Sequence, residues 1–396
     1  MNPRGGPAGA FRGASNVLAV RLDNLGDVLM TTPALTALAA DGRRRVTLLA
    51  SRAGAALAAR VPAVAEVLSF DAPWVAGRAG DPRAERALID ALAARCFDAA
   101  VIFTVCTQSA LPAALFCRLA GISLRLAHAR ENPYALLTDW VRETDVVGPG
   151  MRHEVRRQLD LLAAVGIPAR DEGLVFRVDP ADHERARRAL AAAGGAPERP
   201  WIVVHPGSTA ASRRYPAERF GLAAAQIAAQ CGAQIVFSGG PDDAEACAQA
   251  QRAMDAASAS PGPAAGASRP AHIALAGALD LGALGALIAG ARVLVCNNSG
   301  PAHIAAAVGT PSVVLYALTN PQHTPWQAPT RVLNREVACR DCLKSVCPEG
   351  HHACLLGVPP DAVADAALAF WREAQPRGQP APPAAPPHVS PHTLAA

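Results

Sequence analysis

The segment Arg21-Leu-Asp-Asn-Leu-Gly-Asp27 places a carboxylate where it could do chemistry. An apolar run, 17–20, precedes it, and Leu29, Leu35 and Leu38 follow at helical spacing, so the segment reads as strand, tight loop and helix. Gly26 lets the chain turn sharply, and Asp27 falls in the first turn of the helix. That turn faces the crevice beyond the carboxyl end of a parallel strand, where open α/β sheets bind ligands. A carboxylate there can accept a proton from a substrate hydroxyl. It can equally cap the helix, because Asp is a preferred capping residue, and the segment alone favours the cap.

Three later loops carry small and polar residues after apolar runs. In His205-Pro-Gly-Ser-Thr209, followed by Arg213 and Arg214, Gly207 allows close backbone approach, Ser208 and Thr209 offer hydroxyls, and the arginines add charge, which suits a diphosphate. An ordinary loop before a helix fits as well. Ser238-Gly-Gly-Pro-Asp-Asp243 offers Asp242 to sugar hydroxyls or as a helix cap. In Asn297-Asn-Ser-Gly-Pro-Ala-His303, Asn298 or Ser299 can cap a helix, Pro301 fits its first turn, and the free N–H groups from Gly300 onward make an anion site. His303 lies four residues after Ser299, on the same face.

Cys339, Cys342, Cys347 and Cys354 have the spacing C-x2-C-x4-C-x6-C, with His351 and His352 between the last two. Four sulfurs so close could enclose a structural zinc or iron ion. Disulfides or unligated thiols are the alternatives. The remaining cysteines, 96, 106, 117, 231, 247 and 296, read as buried thiols of a reducing compartment.

The chain has 396 residues, half of them apolar, and a formal net charge of +4. That size suggests two domains, and the charge argues against a nucleic-acid partner while tolerating a phosphorylated ligand or an anionic membrane surface. No run is long and apolar enough to span a membrane, and the amino terminus lacks a signal-peptide core, so a cytoplasmic location is expected. No G-x-G-x-x-G follows the first strand and no G-x-x-x-x-G-K-[ST] occurs, which disfavours nicotinamide chemistry and excludes a P-loop by pattern.

Strands alternate with helices, which predicts parallel sheets. A disordered tail is expected over 1–15, one α/β domain over 16–168, and a helix between Gly150 and Gly166 with Arg152, Arg156 and Arg157 on or beside its solvated face. Contact of those arginines with an anionic acceptor or lipid headgroups is the second reading. A linker near Gly166–Gly173 leads to a second α/β domain over 174–358, with a low-complexity loop at 256–270. A final helix at 359–374 and a Pro-rich disordered tail at 375–396 complete the chain. Two such domains suggest a ligand cleft between them.

Taken together, Leu25-Gly-Asp-Val-Leu-Met-Thr-Thr-Pro-Ala34, His153-Glu-Val-Arg156, His205-Pro-Gly-Ser208 with Arg213-Arg-Tyr-Pro216, and Asn297 to His303 resemble glycosyltransferase family 9, the ADP-heptose:lipopolysaccharide heptosyltransferases. The resemblance implies a GT-B fold, an acceptor-binding first domain, a nucleotide-sugar-binding second domain, and a last helix that crosses back to the first. It implies inverting transfer without a catalytic metal or other required cofactor, with Asp27 as general base. Ser208, Thr209, Arg213, Asp242, Asn298, Ser299, Gly300 and His303 would then meet an ADP-heptose donor. Thr31 and Arg156 would meet a lipid-linked or glycan acceptor, with peripheral contact at the inner membrane. Members often carry Lys where Arg213 stands and usually Asp where Asn298 stands, which bears on donor identity. Two other readings share the architecture: a glycan-binding or assembly protein on an inactive scaffold, which Asn298 allows, and a sugar-nucleotide epimerase.

Overall fold

The computed structural model describes residues 9–76, 79–259 and 272–373. The expected carboxy-terminal tail and most of the low-complexity loop lie outside these residues. Strands β1 (Asn16–Arg21), β2 (Arg45–Ala50), β3 (Glu66–Ser69), β4 (Ala99–Ile102), β5 (Leu124–Ala129) and β6 (Asp139–Arg142) form a sheet in the order β3-β2-β1-β4-β5-β6. Strands β7 (Trp201–His205), β8 (Gln234–Gly239), β9 (His272–Ala276), β10 (Val293–Asn297), β11 (Ser312–Leu315) and β12 (Thr330–Leu333) form a second sheet in the order β12-β11-β10-β7-β8-β9. Read from its other edge, the second order repeats the first. Both sheets are parallel throughout.

The helices of the first half are α1 (Ala10–Gly13), α2 (Leu25–Ala39), α3 (Arg52–Ala55), α4 (Pro73–Ala76), α5 (Pro82–Ala93), α6 (Leu111–Leu119) and α7 (Glu154–Ala163). Those of the second half are α8 (Pro180–Ala192), α9 (Ala217–Cys231), α10 (Ala244–Ala259), α11 (Leu281–Gly290), α12 (Gly300–Val308), α13 (Ala353–Leu356) and α14 (Pro360–Glu373). Among the described residues no helix is long and apolar enough to cross a membrane.

Central strands covered on both faces need continuous apolar runs, and β4 and β10 are buried at every position. The connections reverse direction between β1 and β4 and again between β7 and β10. In each sheet the loops at that reversal frame a crevice beyond the strand ends. Asp27 follows β1, the His205 loop follows β7, and the Asn297 loop follows β10.

The two halves share apolar packing. One continuous core joins Leu29 and Leu35 of α2, Leu159 of α7, Phe176 of the connecting segment, Leu287 of α11 and Ile304 of α12. The connecting segment is tied down as it passes: Val175 N donates to Thr32 Oγ1 at 2.9 Å and Arg177 N to Arg60 O at 2.8 Å.

Several expectations change. The helix expected to cross back to the first domain, α14, instead packs on α9, β10 and β11 of the second. Its small apolar face, with Ala364 and Ala367, fits the alanine-rich face of α9 at Ala223 and Ala224. Residues 10–13 are helical rather than disordered because Phe11 is buried in the first core and Arg12 Nε reaches Gly166 O at 3.2 Å. Arg157 is not on a solvated face: it is buried, pairs with Glu143 and donates to Thr104 O. Cys96 is exposed and Cys231 half-buried, while Cys106, Cys117, Cys247 and Cys296 are buried.

Helices α9 and α10 pack closely because Gly221 has no side chain. A Cβ there would lie 2.0 Å from the Ala250 carbonyl oxygen, and backbone cannot yield as a side-chain tip can. Gly221→Ala is therefore expected to destabilise the protein by about 1–3 kcal/mol through overpacking, measured as a fall in urea midpoint. An unchanged midpoint would show that the two helices separate freely.

Candidate active site

Asp27 is held in a charged cluster at the end of β1. The Arg21 side chain, with no solvent exposure, has Nε 3.0 Å from Asp23 Oδ2, Nη2 3.4 Å from Asp27 Oδ1 and Nη1 2.9 Å from Glu154 Oε1. Glu154 opens α7 and also accepts from Gln158. Asp27 completes a capping box: Asn24 N donates to its Oδ2 at 3.1 Å. Capping and chemistry are therefore compatible, because one oxygen closes the helix and the other faces Arg21. Burial pushes the Asp27 carboxyl up, but Arg21, then His323 and the Asn24 amide, more than offset this and hold it below its usual range. Asp23 behaves oppositely. Burial raises it to about 6, against the pull of Arg21 and with help from Asp27 and Glu154.

In the second half, a cavity of about 660 Å³ gathers the three polar loops and includes Ser208, Thr209, Asp242, Ser299 and Gly300. Asp243 sits where its loop meets the first. A Cβ on Gly207 would lie 2.2 Å from Asp243 Cγ, and one on Gly239 would lie 2.6 Å from Asp243 Cβ. Asp243 Oδ2 accepts from Gly240 N at 2.9 Å and lies 3.8 Å from His205 Nε2. His205 Nδ1 lies 3.1 Å from Ser238 Oγ. Arg214 lines the cavity and donates to Ser208 O at 2.6 Å, bracing the loop. Among the described residues the Arg213 side chain has no hydrogen bond or ion pair. Its charge acts on His303, Tyr316 and His323, which places it towards the junction of the two halves.

Helix α12 meets α2 across that junction. A Cβ on Gly26 would lie 3.2 Å from His303 Cδ2, and one on Gly300 would lie 3.3 Å from Leu25 Cδ2. His303 is buried and its Nδ1 has no hydrogen-bond partner among the described residues. Asn298 is buried; its N donates to Leu315 O at 3.1 Å and its side chain acts on the Tyr316 hydroxyl, which itself donates to Asn320 O. In the first half, a smaller cavity of about 140 Å³ is lined by Gln108, whose side chain acts on the Asp23 carboxyl.

Some expected residues fall elsewhere. Thr31, expected at the acceptor, is fully buried and donates to Asp27 O at 2.9 Å, steadying the turn that carries the carboxylate. Arg156 pairs with Glu172 at 2.6 Å and lies 5.9 Å from the centre of the Trp326 ring, so its charge is already matched. Among the described residues no group of three or more His, Cys, Asp or Glu side chains is arranged to hold a metal ion, although Cys339 Sγ lies 3.9 Å from His351 Nε2. Backbone contacts fasten that loop instead, with Asp341 N donating to Leu318 O at 2.7 Å and Ser212 Oγ to Lys344 O at 2.7 Å.

Arg21, Asp23, His153, Glu154 and Asp243 lie in the motif segments without a role of their own in the sequence reading, and His323 lies outside those segments. A charged residue ending an apolar strand was a usable signal for Arg21, as was the adjacent Asp242 for Asp243. Nothing in the sequence around His323 distinguishes it from any loop histidine.

Burial lowers His205 to about 4 and His303 to about 3, and also lowers His128, His153 and His323. The unfolded chain protonates its histidines near 6.5. The unfolded state therefore binds protons first: stability is full above 6.5 and declines as pH falls towards the folded values, by about tenfold in the unfolding constant per pH unit and histidine. Asp23 opposes this between about 4 and 6, where its native form retains a proton. The urea midpoint is expected to fall from pH 7 to pH 5, and His205→Asn should lessen the fall. A midpoint independent of pH in this range would contradict the neutral, buried imidazoles.

The family model for glycosyltransferase family 9 (heptosyltransferase) matches residues 85–353. Lipopolysaccharide heptosyltransferase 2 of Escherichia coli (strain K12) is 30% identical over 182 residues, 45% of this chain and 49% of that protein. The chain spans about half the length, or less, of the curated relatives it matches. In fold it is similar to the glycosyl transferase family 9 protein from Veillonella parvula, with a TM-score of 0.72 at 21% identity, covering 91% of this chain and 98% of that one. It is also similar to E. coli ADP-heptose lps heptosyltransferase II, with a TM-score of 0.67 at 23% identity, covering 91% and 100%. Both are GT-B structures, and the two six-stranded sheets described here share that architecture. With the family model covering more than half its length, the chain belongs to glycosyltransferase family 9, the heptosyltransferase family.

Proposed function

We propose that this chain is an inverting, metal-independent transferase that moves a heptose or related sugar from an ADP-activated donor to a hydroxyl of the lipopolysaccharide core or another surface glycan. The observation that carries this reading is the meeting of Asp27 with the start of α12, where Gly26 packs on His303 beside the loops of the second-half cavity. A base and a phosphate-type loop face each other there, as an in-line displacement requires. The names of the relatives, which include ADP-heptose and lipopolysaccharide, support this donor and acceptor class.

The acceptor hydroxyl gives its proton to Asp27 as its oxygen bonds to the anomeric carbon. The bond from that carbon to the diphosphate oxygen breaks, and its electron pair leaves with ADP. The lowered Asp27 carboxyl is a weak base, so the proton moves late, once the new bond has made the hydroxyl acidic. Ser208, Thr209 and the unpaired Arg213 supply donors for the charge that develops on the leaving diphosphate, a role that needs no metal ion. Asp242 offers a carboxylate to sugar hydroxyls from the cavity wall. The small cavity lined by Gln108, Arg130 and Glu131 would take the acceptor. A lipid-linked acceptor would bring the chain to the cytoplasmic face of the inner membrane.

Two variants test this reading with ADP-heptose as donor and heptose-deficient lipopolysaccharide as acceptor. Asp27→Asn should lower turnover by roughly two to four orders of magnitude while leaving donor affinity nearly intact. Normal turnover would return Asp27 to the role of helix cap alone. Arg213→Ala should weaken ADP binding by about tenfold or more, the loss expected for a charge-assisted hydrogen bond. Equal dissociation constants in calorimetry would show that Arg213 does not reach the diphosphate.

A further inference from the structure

We propose that His323 belongs to the same site, where its ring holds a sugar hydroxyl beside Asp27. This rests on the transferase reading and adds to it a residue from the segment Thr319–Thr324.

His323 is only 7% exposed, yet among the described residues its Nε2 has no hydrogen-bond partner. A buried polar atom left without a bond carries a desolvation penalty, and native structures hold few such atoms, so this one calls for a partner. Of the charged groups around the ring, Asp27 acts on it most strongly, followed by Glu154, Arg213 and Arg21. His323 is in turn the group that lowers the Asp27 carboxyl most after Arg21.

The ring is also firmly carried. On one side of it Gln322 O accepts from Glu154 N at 3.2 Å, and Gln322 Nε2 donates to Arg152 O at 3.0 Å. On the other side Thr324 O lies 2.7 Å from His153 Nε2. A second-half segment is thus strapped to the start of α7 on both flanks of His323, next to the residue that braces Arg21. Fixing a side chain through its backbone in this way is how a binding group is preorganised.

The chemistry selects a hydroxyl over a phosphate. The free Nε2 of a neutral imidazole either donates or accepts according to the tautomer, and a hydroxyl can answer either role. It does not supply the positive charge that a diphosphate needs, and Arg213 already provides that. The unpartnered Nδ1 of His303, whose ring also acts on Asp27, extends the same polar set.

The test compares ADP with ADP-heptose by imidazole nitrogen NMR, assigning His323 by its loss in His323→Ala. ADP-heptose should shift the His323 resonances, and ADP alone should not. His323→Ala should keep ADP affinity within about twofold and lower kcat/KM for transfer by about tenfold, the loss expected for one neutral hydrogen bond. His323→Gln, which restores a donor and an acceptor, should recover part of the loss; a purely structural role for the ring would not give that rescue together with the selective shift. If the wild type transfers heptose while His323 ignores ADP-heptose, or if His323→Ala transfers at the wild-type rate, the assignment is overturned and the transferase reading stands. A wild type that neither binds ADP-heptose nor releases ADP from it would remove both.

Discussion

The guanidinium of Arg21 is the contact on which the site depends. It ends a strand whose four preceding residues are apolar, it is wholly excluded from solvent, and three carboxylates surround it. A buried cation is tolerable only if paired, because stranding one charge costs several kcal/mol. That requirement fixes three elements at once: the end of β1 through Asp23, the start of α2 through Asp27, and the start of α7 through Glu154. The amide of Glu154 then bonds Gln322 of the second half. One charge thereby ties the proposed base to the segment that crosses from the other sheet. The same constraint sets the two aspartates apart, with Asp27 kept ionised and Asp23 inclined to hold its proton.

Between the halves the structure is drier than a simple cleft. Apolar side chains of α2 and α12 share one core, with Phe176 of the connecting segment wedged against Gly285 of α11. Polar groups collect above that floor, at the crevices where each sheet reverses its strand order. Both sheets have the same order, so the loops that follow equivalent strands come to equivalent places. Asp27 follows the first strand of its sheet, as the His205 loop follows the first strand of the other.

Much of this was legible from residue pattern. The central strands are unbroken apolar runs, and the glycine and proline punctuation marks the loops that follow them. The motifs around Asp27, Ser208 and Ser299 lie where strand-to-helix turns must expose them. Short, half-exposed edge strands such as β3, β6 and β12 carry weak signals, because their burial is incomplete. Helix α8, by contrast, has a readable start in Asp179, Pro180 and Asp182. Long-range pairing was the real limit. Arg157 looks like a surface arginine until Glu143 and Thr104 are brought to it from other strands. The final helix of the chain looks free to cross to the first half until the alanines of α9 offer it a fitting surface. The four late cysteines have ligand-like spacing, but spacing does not fix where a loop anchored by its backbone will point its sulfurs.

The contact of Asp243 with Gly207 and Gly239 also bears on how this loop can change over generations. Each glycine lies where a methyl group would overlap the aspartate, so the three positions form an epistatic set. A side chain at 207 or 239 fits only if Asp243 moves or is replaced by something smaller. Losing Asp243 first removes the acceptor of the Gly240 amide and the neighbour of His205. Each route thus passes through a less ordered loop, and drift at these sites is slowed.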